Sequence, residues 1–174
     1  KEFFLAITTL KNIEKHGLQA VEGTAEGQAH RICNLALTLA TSCLSFDFIG
    51  TNPEESAEDV GTVQVPSSWR PVVQDTSTMQ LLLTFYAGTE PPRSNQALEC
   101  LVQLSSVRRS LFSSEKERTA FLEALLKGIH DILISQKGLA HVGNYHQFCR
   151  LLGRLKACYQ LSELVKTSGF SEFL

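Results

Sequence analysis

An all-α fold of stacked antiparallel helix pairs is what this sequence predicts, and three observations carry that prediction. Apolar residues recur at three- and four-residue steps in one segment after another. Connections bearing Gly, Pro or Ser separate those segments, giving roughly 40 to 50 residues per helix pair, the period of HEAT and armadillo arrays. Several segments are apolar on two sides, as helices held between neighbours must be. The expectation is one HEAT/armadillo-like superhelical solenoid segment over 1–174, about three helix pairs long. It carries a long acidic, Pro-containing connection at 50–74. A closed bundle is the alternative arrangement.

The first helix is read over Glu2 to Lys15, where Phe3, Phe4, Ile7, Leu10 and Ile13 share a face and Lys11, Glu14 and Lys15 point away, with Gly17 as its stop. From about Gln28, "AHRICNLALTLATSCLSFDF" is apolar on most sides and describes a helix packed between others. Residues 50–74 hold three of the five prolines and four acids, with no base before Arg70. A connection of that length exceeds the usual handful of residues. Within it "NPEESAED" reads as an acidic tip, and "TVQVPSSW" as an extended stretch whose Trp69 plugs the chain back onto the helices.

Asp75 is placed to cap the helix that "TSTMQLLLTFY" begins, and "GTEPPR" ends it. Ser94 opens the next helix, whose core side is Leu98, Leu101, Val102, Leu104 and Leu111. Ser114 and Glu117 form a capping box ahead of "RTAFLEALLKGIHDIL". Asn144 is the expected cap of "NYHQFCRLLGRLKACYQL", with Tyr145, Phe148, Leu151, Leu152, Leu155 and Tyr159 on its core stripe. Leu161, Leu164 and Val165 begin another short helix. The sum is six or seven helices and no convincing strand.

Composition sets bounds on function. With 43% hydrophobic and 20% charged residues, 5 Pro and 11 Gly, the chain is neither disordered nor collagen-like. No apolar run approaches the roughly 18 residues of a membrane span. The opening "KEFFLAITTLKNIEK" lacks the plan of a secretory signal, and a start at Lys1 reads as a piece of a longer chain. The net charge of −2 argues against a general nucleic-acid binder, yet it hides a polarity. Residues 1–100 carry 6 Lys/Arg against 12 Asp/Glu, a net of −6, whereas 101–174 carry 10 against 6, a net of +4. Such a surface favours charged protein partners.

Chemical motifs are sparse. Five unevenly spaced cysteines with no Cys-x-x-Cys pair read as buried free thiols of a reducing compartment. His146 and Cys149, with His141 upstream, have metal-ligand types at i, i+3 spacing but no local fourth ligand, so a histidine beside a core cysteine is the plainer reading. No nucleophile elbow, phosphate loop or His-Glu-x-x-His pair is present, and no enzyme is expected. Arg150 and Arg154, four apart, and Arg108 and Arg109 at another helix end have two readings. One is solvation or C-capping; the other is a basic inner surface for an acidic partner. The acidic tip, Glu54, Glu55, Glu58 and Asp59, is either a solvated loop or a second partner contact.

Four blocks, "CLSFDFIGTNPEES", "TVQVPSSWRPVVQDTSTMQLL", "CLVQLSSVRRSLF" and "NYHQFCRLLGRLKACYQLSELVK", resemble in order and spacing a segment of the exportin-7 family of nuclear transport receptors, in the importin-beta superfamily. The resemblance spans roughly residues 30–168 and falls in the amino-terminal third of the family's longer chains. It implies a receptor that binds Ran-GTP and protein cargo cooperatively, meets nucleoporins, and shuttles between nucleus and cytoplasm. It also implies no cofactor of its own, GTP entering only on Ran. No family binding residue is carried over. The alternative function is a helical-repeat scaffold or adaptor without Ran dependence.

Overall fold

The computed structural model describes residues 1–16, 26–46 and 62–167. Its helices are α1 (Glu2–His16), α2 (Glu26–Ser45), α3 (Arg70–Val73), α4 (Thr76–Gly88), α5 (Arg93–Ser105), α6 (Glu115–Ser135), α7 (Val142–Cys158) and α8 (Leu161–Leu164). Short 3-10 turns lie at Ser67–Trp69 and Arg109–Leu111. Among the described residues there is no strand, only an isolated parallel bridge between Val63 and Val107. Gly17 and the acidic tip lie outside the described residues.

The long helices form two layers. In one, α4 packs between α1 and α6; in the other, α5 packs between α2 and α7, and α1·α2 and α4·α5 are close antiparallel pairs. This is an all-α, HEAT-like repeat stack and not a bundle closed around one axis. The middle pair is the most enclosed. α5 buries Ala97, Leu98, Cys100, Leu101, Val102 and Leu104, and α4 buries Met79, Leu81, Leu82, Phe85 and Tyr86. Burial of each large apolar side chain contributes roughly 1.5–3 kcal/mol, which is why these positions are apolar on more than one side. Between α2 and α5 the contact is partly polar: Cys100 Sγ lies 2.9 Å from Thr41 Oγ1, and Gln96 Nε2 donates to Thr38 Oγ1 at 2.9 Å.

Residues 62–74 form a strap over this stack. Val63 N donates to Ser106 O at 2.7 Å, and Val65, Trp69 and Val73 are buried. The Trp69 ring stacks on Phe3 of α1 with centroids 4.5 Å apart and planes 6° from parallel, the plug expected of the single tryptophan. Arg70 Nε donates to Leu111 O at 2.6 Å, and Gln74 Oε1 accepts from Ser113 N and Oγ. The stretch expected to stay irregular to Gln74 therefore turns helical from Ser67, because its backbone must double back to seat Trp69 and Val73 together.

Capping follows the sequence in part. Asp75 accepts from Ser77 N at 2.9 Å at the start of α4, and Ser114 accepts from Glu117 N at 3.3 Å at the start of α6. Two expected starts differ. α5 begins at Arg93 after Pro92, because Ser94 is buried against α7. α7 is capped by His141, whose Nδ1 accepts from Asn144 N at 3.4 Å. Asn144 itself is buried, donating to Ser94 Oγ at 3.1 Å and Gly138 O at 3.2 Å, so it ties α7 to α5 and to the preceding turn. That turn needs a glycine: Gly138 has φ 75°, and a Cβ there would lie 2.9 Å from the Asn144 amide nitrogen.

Replacing Trp69 by Ala removes the stacked plug and opens a cavity beside Phe3. The expected loss is about 3–4 kcal/mol of unfolding free energy, read as a lowered urea midpoint with unchanged helical signal before the transition. A midpoint equal to the parent's contradicts the role given to the strap.

Candidate functional site

Five of the ten Lys and Arg residues of 101–174 converge where the α5–α6 connection meets the end of α7. Val107 is held by the bridge to Val63, and Arg108 N donates to Val63 O at 3.4 Å. Arg108 and Arg109 thus follow α5 without closing it: the helix ends at Ser105, and Arg109 opens a 3-10 turn. Their expected role at a helix dipole gives way to this crossing because Val107 is needed in the core. Arg109 is forked on Glu115, Nε at 3.0 Å from Oε1 and Nη2 at 2.6 Å from Oε2. The hydrogen bond to Glu115, and then its charge, hold the Arg109 guanidinium above its ordinary pKa.

Arg118 organises the interior of this corner. It is buried in the first turn of α6, three and four residues before Phe121 and Leu122 on the core face. Its guanidinium carbon lies 4.7 Å from the Tyr159 ring centroid and 5.7 Å from that of Phe112. Nε donates to Glu163 Oε1 at 2.9 Å, and Nη2 to Cys158 O at 3.2 Å. Glu163 Oε2 accepts from Gln160 N at 2.9 Å, forming the capping box of α8. A buried cation is tolerated only with such partners. Burial works against the Glu163 charge, but the bonds from Arg118 and Gln160 N, with the charges of Arg118 and Arg109, outweigh it and hold the carboxyl below its ordinary range. Burial drives the Tyr159 phenol the other way, upward, with the Arg118 charge opposing.

A cavity of about 630 Å³ opens here, lined among the described residues by Arg108, Arg109, Arg118, Arg154 and Lys156 against one carboxylate, Glu163. Of the basic residues singled out in the sequence, Arg108, Arg109 and Arg154 are therefore brought together, from two elements far apart in the chain. Arg150 does not join them; it is exposed and donates to Gln147 Oε1 at 3.0 Å. Four residues rotate a helix by about 40° beyond a full turn, enough to separate the two arginines. Glu54, Glu55, Glu58 and Asp59 lie outside the described residues. Arg118, Lys156, Tyr159 and Glu163 were not singled out as site residues, though the core-face position of Arg118 in α6 was a usable signal.

The thiols divide by burial. Cys33 and Cys100 are buried, Cys43 and Cys158 half-buried, and Cys149 is exposed, contrary to its expected place beside the core. Burial pushes the Cys100 thiol up to about 12, the bond with Thr41 acting weakly against it. Tyr145 and Leu152 are also exposed, because α7 is covered only along the Phe148–Leu151 line. His146 is exposed as well, and His141 is engaged as the α7 cap. Among the described residues no three His, Cys, Asp or Glu side chains converge as metal ligands.

Comparison with known proteins finds Exportin-7-A of Xenopus laevis 47% identical over 150 residues, covering 86% of this chain and 14% of the relative. Ran-binding protein 17 of Homo sapiens is 47% identical over 138 residues, 79% of this chain and 13% of the relative. Ran-binding protein 16 of Drosophila melanogaster is 47% identical over 136 residues, 78% and 12%. No family model matches the chain, and no solved structure matches it.

Replacing Glu163 by Gln weakens the bonds to Arg118 and to the α8 start, at an expected cost of about 2 kcal/mol at pH 7. The native carboxyl has a depressed pKa, so its contribution is complete above the ordinary value of 4.5 and is lost as pH falls through the folded value. The gap between the two forms in urea unfolding should therefore narrow as pH falls from 7 towards 3. A gap that persists unchanged in acid contradicts the ionised pairing.

Proposed function

Because the chain belongs to the exportin-7 family, whose members named above it spans for roughly one seventh of their length, we propose that it forms part of a nuclear export receptor. In this reading the whole protein binds Ran-GTP and protein cargo cooperatively, meets nucleoporins, and shuttles between nucleus and cytoplasm. The 47% identity over most of the chain is the observation that carries it. The HEAT-like stack supports it physically. In a longer array of such pairs, a small change of angle at each interface adds up to a change of pitch. Two ligands that favour the same pitch are positively coupled without any chemical step. The receptor needs no cofactor of its own, since GTP enters only on Ran.

The test is the affinity of the full-length parent receptor for Ran loaded with GTP or GDP, with and without a cargo protein. A GTP preference of at least tenfold, strengthened by cargo, is expected, tenfold being about 1.4 kcal/mol of coupling. Equal affinity for the two nucleotide states assigns the stack to a plain helical scaffold instead.

A further inference from the structure

We propose that the cavity at the α5–α6 connection and the end of α7 is a docking site for an acidic peptide segment of a partner protein, read through its carboxylates. Such docking depends on the cavity alone, whether or not the receptor binds Ran.

Charge is the first reason. Five cationic side chains, Arg108, Arg109, Arg118, Arg154 and Lys156, line one space with one lining carboxylate among the described residues, Glu163, while Glu115 is held on Arg109 beside it. Like charges gathered on low-dielectric walls focus a positive potential that draws anions in. Arg118 is held by Glu163 and Cys158 O, and Arg109 by Glu115, so these two shape the wall and its field. Lys156 is exposed at the rim, where a flexible ammonium can meet a carboxylate.

The second reason is independent. Tyr159 lines the same cavity and is 6% exposed, and its hydroxyl has no hydrogen-bond partner among the described residues. A buried phenol donor without an acceptor costs about as much as a lost hydrogen bond. The hydroxyl is closed to solvent in the unbound chain, so a carboxylate oxygen reaches it by displacing the cavity wall at Tyr159, and the neighbouring cations favour a carboxylate there over a neutral acceptor.

Size and shape choose a peptide. A volume of about 630 Å³ is far more than one carboxylate or phosphate fills, whereas several residues of chain fit it. Nucleic acid is disfavoured because the aromatic faces at this corner are taken: the Arg118 guanidinium covers both Tyr159 and Phe112. Among the described residues no ring is left there as a platform for base stacking.

The test is fluorescence anisotropy with the full-length protein and with this chain, using a labelled ten-residue Glu/Asp peptide, its Gln/Asn counterpart and a single-stranded oligonucleotide of equal charge. The acidic peptide alone should bind, more weakly as salt rises. Arg154→Glu with Lys156→Glu should weaken it at least tenfold, whereas Lys127→Glu, in a separate groove that Lys127 lines with Gln80 and Leu83 of α4 and Asp131 of α6, should not. Tyr159→Phe keeps the ring over Arg118 and removes only the hydroxyl. It should lower affinity severalfold while leaving the melting temperature equal or higher, an outcome that a purely structural tyrosine does not produce. Unchanged binding in the Arg154/Lys156 double variant or equal binding of the Gln/Asn peptide overturns the proposal. So does tighter binding of the oligonucleotide, or displacement by inorganic phosphate at the peptide's own concentration.

Discussion

A helix that must be covered on three sides cannot stand alone, and α5 is such a helix. It meets α2, α4 and α7, and its buried face runs from Ser94 through Leu104 with few interruptions. An isolated 13-residue helix is marginal in water at best, so α5 exists because its neighbours enclose it. The two layers are the geometric result. Whatever binds α2 or α7 on one side of this helix acts on packing that α5 shares with the other, and interiors at crystal-like density pass such displacements on.

Polar groups at the ends of this core are the points where geometry is specified. Asn144 joins α5, α7 and the turn between α6 and α7 through two donated bonds. Tyr86 Oη donates to Lys137 O at 2.6 Å in the same turn, fixing α4 to it as well. At the opposite end, Arg118 does the corresponding work for α6, α7 and α8. Hydrophobic burial supplies most of the stabilisation, but it is non-directional. These buried donors have one arrangement that satisfies them, so they set the angles at which α6 and α7 meet α4 and α5.

Much of this was legible in the chain. Period-3.6 patterning located the helices, and Asp75 and Ser114 marked two starts, because a cap acts on its own next turn and needs no distant partner. Trp69 was readable because a lone tryptophan amid polar residues has few ways to be buried. Asn144 was misread for the opposite reason: its bonds go to Ser94, fifty residues away, a pairing that no local spacing encodes. Arg118 and Glu163 are 45 apart and equally silent in one dimension. Tyr145 and Leu152 lie on the predicted stripe yet are exposed, since periodicity gives a face but not how wide a strip the neighbour covers. In the basic set, sequence supplied the residue types, and only the bridge of Val63 to Val107 explains why arginines from two elements meet.

The strap of residues 62–74 has a mechanical meaning. A stack of helix pairs joined only to nearest neighbours behaves like a spring, each interface yielding independently. Here Trp69 is seated on Phe3 of α1, while Val63 and Arg70 are bonded to the Ser106–Leu111 connection that follows α5. That is a second tie between the two pairs, lying alongside the coils of the spring. Extension or unwinding in this stretch must shear the strap as well as open an interface, which makes it stiffer than a stack held by its interfaces alone.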